Sequence, residues 1–81
     1  MITPAQCRAG RALVDWSQQK LASAAHIGLV TVWQFEAGRE ARYVTIDAIR
    51  RALEEAGVIF IEENGDGPGV RIQKKPRPHD E

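Results

Sequence analysis

At 81 residues the chain holds one domain, near the smallest size at which a single core sustains itself. Hydrophobic residues make up 43% and charged residues 27%, an ordinary globular composition. One cysteine excludes an internal disulfide, so packing must supply the stability. Net charge is zero, which by itself argues against a nucleic-acid binder, but the charges are unevenly placed. Residues 1–52 hold seven Arg/Lys against four Asp/Glu, and residues 53–81 hold four against seven. Such a split points to a basic working surface and a separate acidic portion.

Thr3-Pro4 predicts a helix start, with Thr3 as N-cap and Pro4 in the first helical position. The stretch AQCRAGRALVDWS then places Cys7, Ala9, Ala12 and Val14 at helical spacings. Gly10 costs that helix about 1 kcal/mol against alanine and permits a close contact. Ser17 is the expected N-cap of a second helix, QQKLASAA, whose apolar side is Leu21, Ala24 and Ala25. His26-Ile27-Gly28 interrupts the pattern. A third helix is expected at about 29–37, with Val32 and Phe35 on its inner face and Gly38 as its stop.

REARYV reads as a connecting loop, and Thr45 as the cap of a fourth helix, IDAIRRALEEA, which Gly57 ends. Ile46, Ile49, Leu53 and Ala56 are spaced for one buried face. The period then changes to two. VIFIEE (58–63) reads as a strand and VRIQK (70–74) as its partner, joined by a glycine-rich hairpin loop, NGDGPG. The fold class is mainly α with a small β part: four helices followed by a C-terminal β-hairpin.

Val58 and Phe60 point to one face of the hairpin, Ile59 and Ile61 to the other. A strand apolar on both faces wants cover on both. The helices cover one, so a homodimer is expected, with Ile59, Phe60, Ile61, Val70 and Ile72 as dimerisation residues. Residues 1–57 form the helical part and 58–75 the dimerisation hairpin. Residues 76–81, polar and proline-punctuated, form a disordered tail. The N-terminus has no apolar signal core, and no apolar run approaches the roughly 20 residues that span a bilayer. No membrane association and a cytoplasmic location are expected.

Residues 16–38, WSQQKLASAAHIGLVTVWQFEAG, read as two short helices joined by a tight turn, a helix-turn-helix. Leu21, Ala25, Ile27, Val32 and Phe35 bind the two crossed helices together. That leaves an outward face on the third helix: Leu29, Val30, Trp33 and Gln34, with Thr31 near its edge. A major groove accepts such a helix, apolar side chains can pack on thymine methyls, and a glutamine can bond adenine.

At SQ (17–18), LA (21–22), Ala25, Ile27, TV (31–32) and FEAG (35–38) the sequence resembles the phage-repressor and Cro (Xre) family of helix-turn-helix regulators. The resemblance spans residues 3–57 and implies a lambda-repressor-like domain, with the hairpin replacing the family's usual last helix. It also implies that Gln18 binds phosphate and braces the third helix, and that Arg39 and Arg42 anchor phosphates. Gln34 falls on a base-reading position, as do Leu29 and Val30, where polar residues are commoner in the family. Arg11 and Glu36 match a pair that bridges the first and third helices. His26 stands where the family usually has glycine.

The expected function is sequence-specific DNA binding by a homodimeric transcription regulator, more specifically a repressor on a near-palindromic operator. DNA-binding residues are Gln18, Gly28, Leu29, Val30, Thr31, Trp33, Gln34, Arg39 and Arg42, with double-stranded DNA as partner. The alternative is a protein–protein module, such as an antitoxin or phage adaptor, that uses the same apolar helix face for another protein. No cofactor or metal site is expected, because two histidines and one cysteine lie scattered without ligand spacing. Neither is an enzyme: the chain offers no nucleophile–base pair, and NGDGPG lacks the Lys-Ser/Thr of a phosphate loop. Cys7 and Trp16 read as core residues.

Overall fold

A computed structural model describes residues 1–73. Four helices, α1 (Pro4–Val14), α2 (Gln18–Ala25), α3 (Leu29–Glu36) and α4 (Tyr43–Glu55), lead into an antiparallel hairpin of β1 (Val58–Ile61) and β2 (Gly69–Ile72). The fold is therefore mainly α with a small β part. The expected tail over 76–81 lies outside the described residues.

Local chemistry sets the helix starts. Thr3 caps α1 through a reciprocal box: its hydroxyl accepts from the Gln6 N–H, and the Gln6 side chain accepts from the Thr3 N–H. Pro4 fills the first helical position, where its missing N–H costs nothing. The Ser17 hydroxyl caps α2 by accepting from the Lys20 N–H at 3.0 Å. α4 begins two residues before the expected cap. Arg42 is its N-cap without a side-chain bond, and Tyr43 and Val44 are already helical. Thr45 is not a cap, because its own N–H is bonded to the Arg42 carbonyl inside the first turn.

Leu21, Val32, Ile49, Leu53 and Cys7 are fully buried and form the centre of the core, with Phe35, Ile46 and Ala52 around them. α2 packs against both α3 and α4, while α1 packs on α3 and on the hairpin. In α2 the buried alanines are Ala22 and Ala25; Ala24, expected inside, is exposed. Leu21 fixes the phase of this helix, and its neighbours on the buried side are one and four residues on. Trp16 is half-buried against the core, with the Lys20 ammonium 5.6 Å from its ring centre.

Gly10 is where α1 approaches the rest most closely. A Cβ there would lie 3.4 Å from both Leu53 Cδ1 and Val58 Cγ1, so a larger side chain would push α1 off α4 and the hairpin. Gln6 makes the other link. Buried at 6% exposure, its amide donates to the carbonyls of Ile61 (3.0 Å) and Gly69 (2.9 Å), clamping the loop end of the hairpin to α1.

Val58 pairs with Ile72, Ile59 with Arg71, Phe60 with Val70 and Ile61 with Gly69. β2 runs from Gly69, one residue before the expected Val70, to Ile72, and the expected end at Lys74 lies outside the described residues. β1 stops at Ile61, short of the expected Glu63. The reason is Glu63: its carboxylate accepts from the N–H groups of Gly65 and Gly67, both at 3.1 Å, and so curls the chain into a loop.

His26 closes α2 in the left-handed conformation (φ 60°, ψ 42°), which costs a side-chain-bearing residue roughly 1 kcal/mol. Its imidazole is exposed, and no side-chain bond repays that cost among the described residues. His26→Gly should therefore raise stability by about 1 kcal/mol, read as a higher midpoint in urea. An unchanged or lower midpoint would mean that the imidazole itself stabilises the turn.

Candidate functional site

Glu36, on the last turn of α3, is buried at 5% exposure and organises the helix-turn-helix from within. Arg11 of α1 grips it with two bonds, Nε to Oε2 at 2.7 Å and a terminal nitrogen to Oε1 at 2.8 Å. Gln18, the first residue of α2, donates its amide to Oε1 at 2.9 Å, and the Cys7 thiol donates to Oε2 at 3.0 Å. The Glu36 carbonyl accepts from Arg8. One side chain thus fixes α3 against α1 and α2, and each carboxylate oxygen takes two bonds.

The electrostatics follow from that arrangement. Burial pushes the Glu36 carboxyl up, but the hydrogen bonds from Arg11, Cys7 and Gln18 and the Arg11 charge outweigh it. The carboxyl therefore sits below its ordinary pKa of 4.5. The Arg11 guanidinium is held still more firmly charged by its bonds to Glu36. Cys7 moves the other way: burial, then its bond to the adjacent carboxylate, pushes the thiol far above its usual range.

With its inner side pinned, α3 turns the opposite side outward. Leu29 is 46% exposed, Val30 56% and Trp33 60%, and Gln34 is exposed beside them. Thr31 is half-buried at the edge. Gly28 is the N-cap of α3 and is exposed. A Cβ there would meet only Thr31 Oγ1, at 3.7 Å, so sterics do not demand glycine. Arg39 and Arg42, in the segment after α3, are both exposed. Gln18 is half-buried with one amide bond committed to Glu36, so it braces α3 from inside.

The basic residues of the first 52 positions fall into two sets. Arg11 is paired with Glu36, Arg50 with Asp47 and Glu54, and Arg51 with Asp47. Among the described residues, Arg8, Lys20, Arg39 and Arg42 pair with no acid. All but Arg8 belong to α2 or to the segment that follows α3. Arg8 was not among the residues expected to bind; only its bond to the end of α3 brings it to this region.

The dimerisation residues divide between two faces. Phe60 and Val70 pack against the chain's own core, because the register that buries Val58 points them at the helices. Ile59 and Ile61 alternate to the other face and are half-buried, while Ile72 is 47% exposed.

No protein-family model matches the chain, and no curated protein is found to be similar to it. Among the described residues no group of three or more His, Cys, Asp or Glu side chains is placed to hold a metal, and no helix is long and apolar enough to cross a membrane.

Two outcomes follow from the Glu36 cluster. Because its folded pKa is depressed, the carboxylate stabilises the fold fully above pH 4.5, and that contribution is lost as pH falls through the lower folded value. Glu36→Gln should cost about 3 kcal/mol at neutral pH, since it leaves Arg11 without its counter-charge. In urea titrations at several pH values, the gap between variant and wild type should narrow below pH 4.5; a constant gap would sink this account. Cys7 should resist a thiol-specific disulfide reagent in the native state and react at the rate of unfolding.

Proposed function

We propose that the chain is a sequence-specific DNA-binding transcription regulator, a repressor that lays α3 in the major groove. The observation carrying this reading is the division of the arginines and lysines. Those that pair with acids stabilise α4 and the core, whereas Lys20, Arg39 and Arg42 stand free of ion pairs on the elements flanking α3. Free cations beside a protruding helix supply the phosphate contacts that set position and register. Leu29 and Val30 suit thymine methyls, Gln34 suits an adenine edge, and Trp33 suits sugar and phosphate at the groove wall.

A homodimer fits the same reading. Ile59 and Ile61 lie on the side of the hairpin away from the helices, with Arg71 opposite Ile59, whereas Ile72 pairs with Val58 on the helix side and is exposed at the end of β2. Two copies joined there would present two α3 helices to successive major grooves about 34 Å apart.

A second reading has its own support. Three of the large side chains on the outer face of α3 are apolar and about half exposed, which also suits a protein partner. Arginine replacements separate the two. Arg39→Ala with Arg42→Ala should lower the slope of log affinity against log salt by roughly 0.9 per lost contact and abolish binding at physiological salt. A protein complex built on Leu29, Val30 and Trp33 would survive the same change. Selection from random duplex DNA should return an inverted repeat, and Leu29→Ala/Val30→Ala/Gln34→Ala should lose it. Absence of any enriched sequence from folded wild type would favour the protein partner.

A further inference from the structure

Arg8, Gln18 and Trp33 come from α1, α2 and α3, yet they line one shallow, open notch together with Arg11 and Glu36. Its charge is unbalanced: two guanidiniums face one carboxylate. That carboxylate is buried, and both of its oxygens are already taken by Arg11, Gln18 and Cys7. It has little left to offer a ligand. Arg11 is likewise spent on Glu36 and on the Trp16 carbonyl, so the excess charge belongs to Arg8.

Arg8 is exposed, and one of its terminal nitrogens donates to the Glu36 carbonyl at the end of α3. A guanidinium carries five donors, so most remain for solvent or a ligand. The bond to Glu36 holds the group at a set place beside α3 and lowers the entropy lost when a ligand binds. Gln18 and Trp33 line the same notch; among the described residues the Gln18 amide spends one N–H on Glu36 and the Trp33 indole N–H has no partner. An anion seated in the notch would meet the charge-assisted fork of Arg8 beside two side chains that carry neutral donors, the chemistry that recognises a phosphodiester.

We propose that this notch is a phosphate seat for the DNA backbone, with Arg8 as its principal contact. The inference rests on the reading of α3 as a groove-binding helix. Trp33 belongs both to the outer face of α3 and to the notch, so a strand at the edge of the groove occupied by α3 passes over Arg8. The seat lies on the α1 side of α3, whereas Arg39 and Arg42 follow its C-terminus. Together they would hold the helix from two directions.

The test is salt-dependent binding of the full chain to a mixed-sequence DNA duplex, with wild type, Arg8→Ala and Arg8→Lys compared. Loss of one phosphate contact should weaken binding about tenfold at about 0.1 M salt and reduce the salt slope by roughly 0.9. Arg8→Lys keeps the charge and should restore most of the slope, although it loses the planar fork. A cap that served only to hold α3 would lower the stability of both variants and leave the slope unchanged. Wild type that binds with the same slope as Arg8→Ala overturns the phosphate seat and leaves the DNA reading intact, as does a lysine variant that behaves like alanine. Folded wild type that binds no duplex even at low salt overturns both.

Discussion

The structure depends on a carboxylate that has no business in a core unless every lone pair is used. Glu36 satisfies that condition with partners from α1 and α2, and its backbone carbonyl takes Arg8 as well. A charged group in this setting is weak evidence for high stability, since a well-packed apolar replacement is often as stable. Its value is geometric. Apolar contacts tolerate sliding, whereas a bidentate guanidinium–carboxylate pair has one good arrangement. The orientation of α3 relative to α1 and α2 is therefore specified by direction as well as by packing.

α3 needs that specification. It has only eight residues, below the length at which a helix is stable alone, and its N-terminus has no side-chain cap bond. Val32 and Phe35 anchor it on one side, and the Glu36 cluster fixes its last turn. With the inner side carrying the whole burden of attachment, the outer side is released from any structural duty. Leu29, Val30 and Trp33 stay exposed, and none of the described residues covers them. A short helix held rigidly from behind loses little freedom when a surface meets its front.

Much of this was legible in the sequence because it is written locally. Thr3-Pro4, Ser17 and Gly57 mark element ends through chemistry confined to a few residues, and the core positions Leu21, Val32, Phe35, Ile49 and Leu53 follow from periodicity. The errors arise where a distant or subtle partner decides. Thr45 has the chemistry of a cap, but α4 starts at Tyr43 because the burial of Ile46 and Ile49 sets the helix, and propensity at its end gives way. Glu62 and Glu63 continue a strand pattern, yet two glycine N–H groups capture the Glu63 carboxylate and end the strand. The clamp from Gln6 to the hairpin joins residues more than fifty positions apart, and no local spacing announces it. Arg8 escaped for a similar reason. One turn before Arg11 on α1, it looks like an ordinary solvated helix residue until α3 is folded against it.

The same placement of charge reconciles a neutral chain with the anionic partner proposed for it. Net charge counts every group once, but a cation already bonded to a carboxylate contributes little field beyond a few ångströms. Asp47 and Glu54 neutralise Arg50 and Arg51 on α4, and Glu36 neutralises Arg11 in the core. What is left near α3 is a small excess of positive charge, Arg8, Lys20, Arg39 and Arg42 against Glu40, whose internal contacts are the bond from Arg8 to Glu36 and the Lys20 ammonium over the Trp16 ring. The acidic residues of the loop after β1 lie on a different element and do not cancel it locally. An interface of this kind attracts a polyanion over short range and holds it weakly without base contacts. On the proposed reading, discrimination falls mainly to the apolar face of α3, where a missing methyl group or a mismatched groove shape costs affinity that the few cations cannot restore.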